Sequence, residues 1–197
     1  MTQRLLVGPF NRVEGDLEVQ LEIAEGRVRA ARVNATMYRG FEQMLTGRDP
    51  MDALVIVPRI CGICSVSQSV AAARALADAA GVSAPPNGLI ATNLMLAAEN
   101  LADHLTHFYL FFMPDFTRAV YADRPWHAEV TRRFAAPSPQ GMGDHAREAV
   151  AARQRWFTLL GLMGGKWPHT QSITPGGSTR ALESSERLRL LATVREF

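Results

Sequence analysis

The sequence predicts an α+β fold that is mainly helical and carries a small antiparallel β-sheet at its N-terminus. Apolar and polar residues alternate strictly over 17–23, which is typical of a strand with one buried face. A turn at 24–26 leads into a second extended run at 28–36, so the two runs predict a β-hairpin. Residues 4–7 form a further extended piece that can pair with this hairpin.

Helical patterns begin at Phe41 and continue to the end of the chain. The clearest helix follows Ser65, a favourable N-cap residue, and Gln68 three positions later completes a Ser-x-x-Gln capping box. Gly81 ends this helix, because glycine readily adopts the left-handed conformation found at helix C-termini. The predicted helices are 41–45, 52–57, 66–80, 87–112, 124–135, 144–162 and 181–197.

Length and composition limit the class of protein. The 197 residues, 47% of them hydrophobic, can bury the core of one domain, and we treat 1–197 as a single region with a β-rich start (1–40) and a helical remainder (41–197). With 21 basic and 19 acidic residues the formal charge is only +2, so nothing in the charge argues for nucleic acid as a partner. No uninterrupted apolar span has membrane length, and we expect no membrane segment.

Both cysteines of the chain, Cys61 and Cys64, form a Cys-x-x-Cys pair directly before the helix at 66–80. The helix N-terminus and the neighbouring Arg59 would stabilise a thiolate, the form of cysteine that binds metals. A redox-active dithiol, half of a zinc site and two inert buried thiols are the alternatives. Two cysteines this close are not the disulfide framework of a secreted protein, so we expect a reducing, cytoplasmic setting.

Several other side chains could serve a site near the cysteines. Glu14 lies in a turn and Glu42 in the first turn of a helix; each also has an ordinary explanation, as a solvated turn acid or as a partner of the helix dipole. His104 and His107 share a helix face, which fits either a ligand pair or two buried histidines bonded to neighbouring helices. The segment 164–169 holds the single lysine of the chain and either packs a turn or positions cationic groups.

Five motifs, in order along the chain, resemble the large subunit of nickel-iron hydrogenases. They are Arg12-Val13-Glu14-Gly15, Arg39-Gly40-Phe41-Glu42, Arg59-x-Cys61-x-x-Cys64, His107-Phe108-Tyr109 and Gly164-Gly165-Lys166-x-Pro168-His169. Together they cover most of the chain, and the resemblance implies that the fold is part of the hydrogenase large-subunit fold. It also implies a nickel-iron centre with carbon monoxide and cyanide on the iron, and iron-sulfur clusters in a partner small subunit.

The resemblance implies a role for each matching residue. Cys61 would be a terminal ligand of nickel, and Cys64 would bridge nickel and iron, since soft thiolates favour such metals. Glu14 would pass protons away from the metal when dihydrogen is split heterolytically. Glu42 would bind a structural Mg²⁺, a hard cation that takes oxygen ligands. Arg59 would belong to the catalytic surroundings.

Three positions resemble the hydrogen-sensing, or regulatory, members of the family. Gln68 stands four residues after the second cysteine, where most members have histidine; glutamine can donate a hydrogen bond near the bridging thiolate but cannot titrate near neutral pH. Ile63 and Phe111 replace the usual valine and leucine, and the resemblance implies that these larger side chains narrow the gas channel and keep oxygen out. As plain sequence, Gln68 is only a capping residue, and Ile63 and Phe111 are ordinary core residues.

The complete family site takes four cysteines, and the second Cys-x-x-Cys pair, near the C-terminus of the family, is missing from this chain. The helical pattern at 184–197 also stops without a C-cap residue. We therefore expect the N-terminal half of a sensor-type large subunit, which acts on dihydrogen when intact and is inactive as this chain alone. A histidine kinase would receive its signal, and the segment 164–169 would face the small subunit.

Two alternatives to the sensor stay open. One is the large subunit of an energy-converting or bidirectional nickel-iron hydrogenase, for which histidine would be expected in place of Gln68. The other is a noncatalytic interaction protein in which the Cys-x-x-Cys loop binds zinc or has a structural role.

Overall fold

The computed structural model describes residues 2–10 and 16–197. The chain divides into two compact units, Met1–Met44 and Leu45–Phe197. The first unit contains the sheet and the second is almost entirely helical. This arrangement confirms the predicted α+β fold, mainly helical with a small N-terminal sheet.

The first unit is built on a three-stranded antiparallel sheet with strand order β1-β2-β3. β1 pairs with β2 along its length, and β2 pairs with β3 to complete the predicted hairpin. Glu25 and Gly26 join β2 to β3, and both have positive φ angles (55° and 70°), as the tight turn of a twisted hairpin requires. The strands are Thr2–Phe10, Leu17–Ala24 and Arg27–Asn34, followed by the short helix α1, Phe41–Leu45.

The second unit contains seven further α-helices in the described part of the chain, with short 3-10 turns around α2 and before α5, and one two-stranded hairpin. The longest helix, α4, passes directly into a π-helical turn at His107–Phe112. The helices are α2 (Ala53–Ile56), α3 (Ser65–Ala80), α4 (Pro86–Thr106), α5 (His127–Phe134), α6 (Asp144–Trp156), α7 (Thr158–Gly164) and α8 (Ser184–Glu196), and the hairpin strands are β4 (Ile173–Thr174) and β5 (Gly177–Ser178).

The core of the second unit lies between α3, α4, α6 and α7. Val66 from α3, Met95 from α4 and Leu160 from α7 are completely inaccessible to solvent. Trp156 closes the core at the end of α6, where its indole N–H donates to the carbonyl of Ala98 at 2.7 Å. This packing holds α4 against α3, α6 and α7. No helix in the described ranges combines the length and apolarity needed to cross a bilayer.

Three predicted helices have different limits in the structure. The segment 144–162 is two helices, because the chain leaves α6 at Phe157, whose ring stacks on Trp167 at 4.1 Å between centroids. α5 begins at His127 rather than 124, since the residue before Pro125 is disfavoured in helical geometry. α8 begins at Ser184 rather than 181, because Glu183 and its third following residue form a capping box there.

Candidate metal centre

Cys61 and Cys64 lie on the turn that leads into α3, and both are free thiols. Cys61 is buried and Cys64 is half-buried. From one helical turn further on, Gln68 donates its side-chain N–H to Cys64 Sγ at an Nε2–Sγ distance of 3.1 Å. The structure therefore brings together three of the predicted site residues, two sulfur atoms and one amide.

The predicted capping box of α3 is wrong. The N-cap position belongs to Cys64, and Ser65 is the first residue inside the helix. Ser65 Oγ accepts a hydrogen bond from the backbone N–H of His169 at 3.0 Å, while Gln68 turns its amide toward the sulfur. Ser65 is thus used by a partner far away in sequence, and Gln68 by the cysteine one helical turn before it.

The N-terminus of α3 is capped instead by Glu99, a residue of α4 that is only 3% exposed. Its two carboxylate oxygens accept from the backbone N–H groups of Val66 and Ser67, each at 2.9 Å. The hydroxyls of Ser65 and Ser67 donate to the same carboxylate at 3.5 and 3.2 Å. A buried acid at a helix N-terminus is stabilised both by these donors and by the helix dipole.

This capping changes the chemistry of the cysteine pair. Burial raises the pKa of the Cys64 thiol from 9.0 to about 12; its hydrogen bond with Cys61 and the charges of Cys61 and Glu99 act in the same direction, against the hydrogen bond from Gln68. The expected thiolate stabilisation by the helix N-terminus is therefore wrong for the metal-free protein. The first N–H groups of α3 bind Glu99 rather than the sulfur.

The segment 164–169 packs directly on the cysteine turn. The ring of Pro168 lies 3.8 Å from the position that a Cβ atom on Gly62 would occupy. Trp167 donates its indole N–H to Glu99 at 3.0 Å, and His169 adopts a left-handed backbone conformation with φ of 62°. Of the two predictions for this segment, packing of a turn is the one that the geometry supports.

A cavity of about 370 Å³ lies beside this turn. Arg59 and His169 line it, together with residues of α2 and of the segment that follows His169. Burial lowers the pKa of His169, the charges of Arg59 and Lys166 lower it further, and a hydrogen bond with the carbonyl of Pro58 opposes the shift. Arg59 and His169 line the same cavity, and the positive charge of Arg59 disfavours protonation of the His169 imidazole.

Four predicted site residues make no contact with the cysteine pair that the structure describes. Glu14 falls within 11–15, outside the described residues, and Glu42 is exposed in the first turn of α1, in the other unit. Ile63 and Phe111 are 45% and 46% exposed, so their interpretation as ordinary core residues is wrong.

The two histidines of α4 and its extension do not form the buried pair that was one of the two predictions for them. His104 and His107 are both exposed. Within the described ranges no group of three or more histidine, cysteine or acidic side chains is placed to hold a metal ion. Neither histidine belongs to such a group within these residues.

The cysteine pair itself fits a soft metal. Thiolates are the ligands that nickel and iron take in low-valent centres, and two sulfurs on one turn can bind one metal or bridge two. The orientation of Gln68 agrees with this, because its Nε2 faces the sulfur while its buried Oε1 has no hydrogen-bond partner among the described residues. The described residues supply two ligands, so a complete centre would take the others from outside them.

Sequence reasoning missed Glu99, although a signal for it exists. On α4 it lies four residues after Met95 and three before Ala102, both of which are buried, so it occupies an apolar face of the helix. An acid at such a position is almost never buried without partners.

Comparison with known proteins adds independent findings. The sequence profile of the family described as nickel-dependent hydrogenase matches residues 39–144. The periplasmic [NiFeSe] hydrogenase large subunit of Desulfomicrobium baculatum is 34% identical over 187 residues, which cover 89% of this chain and 36% of that protein. An F420-non-reducing hydrogenase subunit of Methanocaldococcus jannaschii is 32% identical, with 95% of this chain and 44% of that protein covered.

A solved structure agrees with these sequence matches. The Ni-Fe-Se hydrogenase of D. vulgaris Hildenborough aligns with a TM-score of 0.73 and 30% identity. The alignment covers 100% of this chain and 41% of that one. The chain thus spans about two fifths of the length of the relatives that it matches.

Proposed function

This chain belongs to the nickel-dependent hydrogenase large-subunit family, and from that membership we propose that it supplies Cys61 and Cys64 as ligands of a nickel-iron centre that acts on dihydrogen in the intact protein. The observation that carries the proposal is the pair of free thiols on one turn, with Gln68 Nε2 only 3.1 Å from Cys64 Sγ. When bound, the centre supplies heterolytic cleavage of dihydrogen.

The protein residues would hold the centre and control its surroundings. In our proposal Cys61 and Cys64 would hold the centre, Cys61 as a ligand of nickel and Cys64 as a ligand shared by nickel and iron, and both would lose their protons on binding. Gln68 then donates a hydrogen bond to the Cys64 thiolate, where it stabilises the charged sulfur without titrating itself near neutral pH. The packed segment 164–169 keeps water away from the cysteine turn.

Further roles belong to the same proposal. Glu14 accepts the proton that leaves the metal site and returns it in the reverse reaction, and Glu42 binds Mg²⁺ through its carboxylate. Arg59, beside the cavity, provides positive charge near the site. A small subunit with iron-sulfur clusters accepts the electrons, as expected for a large subunit that carries only the hydrogen-splitting centre.

We place the protein in the hydrogen-sensing class, with a histidine kinase as the recipient of its signal and the cytoplasm as its setting. Gln68 supports this class, because its amide occupies the place at Cys64 where a titratable histidine would stand in other members. The second candidate is a turnover enzyme, and the names of the relatives favour it, since they include a periplasmic and an F420-non-reducing hydrogenase.

Metal analysis combined with infrared spectroscopy tests the central proposal. The protein purified anaerobically from its own host should contain nickel and iron and should display carbon monoxide and cyanide stretching bands. Zinc as the only metal, with no such bands, would overturn the proposal in favour of a structural Cys-x-x-Cys loop. Hydrogen turnover measured on the same sample then separates a slow sensor from a fast turnover enzyme.

The sensor proposal makes a separate prediction about oxygen. The double variant Ile63→Val and Phe111→Leu in the metal-loaded protein should make hydrogen turnover oxygen-sensitive, because both side chains become smaller and would widen a gas channel. Hydrogen uptake under defined oxygen pressure measures the effect. Ile90→Val, at an exposed position of α4, is the matched control and should behave as the unmodified protein does. Oxygen tolerance that is unchanged in the double variant would contradict the channel role.

A further inference from the structure

Among the described residues, Glu99 is the one acidic residue that is fully buried. It lies between the cysteine turn and the segment 164–169. It accepts hydrogen bonds from two consecutive backbone N–H groups, two serine hydroxyls and one indole N–H. All five donors belong to two pieces of chain: the first turn of α3 and the residue Trp167.

The donors on α3 begin directly after the second cysteine. Val66 and Ser67 are the second and third residues beyond Cys64, so their N–H groups hold the start of α3 in position relative to α4. A shift of this first turn would move Cys64 with it, because they share one continuous backbone. The carboxylate of Glu99 thus fixes the position of Cys64, a proposed metal ligand, by holding the start of α3 that follows it.

Trp167, the donor from the segment 164–169, is held in place by stacking. The ring of Trp167 stacks on Phe157 at 4.1 Å, with only 15° between the ring planes, and the guanidinium of Arg153 lies 4.4 Å from the centroid of Phe157. This stacking directs the indole N–H at Glu99. Two residues later the backbone N–H of His169 binds Ser65, so the segment and the helix start are joined at two points.

Charge adds a second effect to this geometry. An ionised carboxylate in a poorly hydrated site exerts a stronger field on its neighbours than it would in water. Glu99 binds the N–H groups of Val66 and Ser67, within three residues of Cys64, so its negative charge lies at the end of α3 that Cys64 precedes. On a metal-bound thiolate the same field would increase electron density at the sulfur and at the metals it binds.

We propose that Glu99 is a positioning residue of the Cys-x-x-Cys metal site: it joins the start of α3 to the Trp167 segment and directs a fixed negative charge at Cys64. The inference rests on the proposed function, because it takes Cys64 to be a ligand. Glu99 touches no reacting atom and acts through the helix and through its field. Residues that contact the metal ligands rather than the metal commonly orient those ligands and tune the properties of the metal.

The test compares Glu99→Gln with the control Glu148→Gln, which makes the same chemical change at an exposed position of α6. In the metal-loaded protein, Glu99→Gln should move the carbon monoxide stretch to higher wavenumber, since less electron density reaches the iron. The Glu148→Gln spectrum should coincide with that of the unmodified protein. A band that does not move in Glu99→Gln would overturn the electronic part of the inference.

A second measurement needs no metal. In the metal-free chain, the amide hydrogens of Val66 and Ser67 should exchange about tenfold faster or more in Glu99→Gln, because the amide carries no charge and keeps only one oxygen to accept the two backbone hydrogen bonds. Exchange at the same rate as in the unmodified chain would overturn the positioning role. If the unmodified protein lacks carbon monoxide bands, the proposed function fails, while this measurement still decides whether Glu99 positions α3.

Discussion

Hydrogen turnover is expected to fall more than about 100-fold when either cysteine is replaced, in the variants Cys61→Ser and Cys64→Ser of the metal-loaded protein. Loss of an outer partner alone typically costs about 10–100-fold in metal affinity or activity, and loss of a ligand should exceed that. Serine is nearly isosteric with cysteine, but its hydroxyl is a hard donor that loses its proton with difficulty and does not bridge nickel and iron as a thiolate does. The variants therefore test the ligand chemistry rather than the packing of the turn.

Infrared bands and metal content measured on the same samples identify the step that fails. We expect the carbon monoxide and cyanide bands to disappear together with nickel. Ala71→Ser, at an exposed position of α3, introduces a hydroxyl into the same helix and should leave turnover unchanged. Retention of the bands and of turnover in Cys64→Ser would exclude this residue as a bridging ligand.

Replacement of Gly164 by alanine is expected to lower the free energy of unfolding of the helical unit by about 2–3 kcal/mol, the usual cost of overfilling a packed core. A Cβ atom at Gly164 would lie 2.6 Å from Cγ2 and 2.9 Å from Cβ of Thr170. Neither group can withdraw easily, because Gly164 and Thr170 are both buried and the backbone N–H of Gln171 is bonded to the carbonyl of Gly164 at 3.1 Å. The segment containing His169 must move instead.

Gly161→Ala is the matched control for this experiment. It lies in the same helix, α7, and a Cβ atom there would meet no atom within 4 Å outside its own helix. Alanine favours the helix over glycine, so this variant should gain up to about 1 kcal/mol. Urea unfolding of both variants measures the difference. Equal stabilities of the two variants would mean that the contact between Gly164 and Thr170 is loose.

Local patterns predicted the sheet correctly because strand pairing in a hairpin depends on neighbours in sequence. The alternation over 17–23 became β2, and the turn at Glu25 and Gly26 set its register with β3. The helix at 66–80 was predicted within one residue for a similar reason: Gly81 has a φ of 66° and ends the helix through its own backbone.

Predictions failed wherever a distant residue competed for a local partner. Ser65 and Gln68 have the spacing of a capping box, yet Ser65 binds His169 and Glu99 while Gln68 binds Cys64. The predicted helix 144–162 divides where Phe157 meets Trp167. The contacts of Ser65 and of Phe157 join residues on different elements, so no periodicity within one segment indicates them; Gln68, by contrast, binds a residue only four positions away.

The sequence by itself determined the α+β class, most helix positions and the identity of the thiol pair, because these depend on short-range spacing and on residue type. Only the tertiary structure decided how the pair behaves. The carboxylate of Glu99, contributed by α4, occupies the N–H groups that would otherwise stabilise a thiolate, and burial then raises the pKa of Cys64. An electrostatic environment is the sum of charges and donors brought together by packing, and it cannot be derived from the ten residues around the cysteines alone.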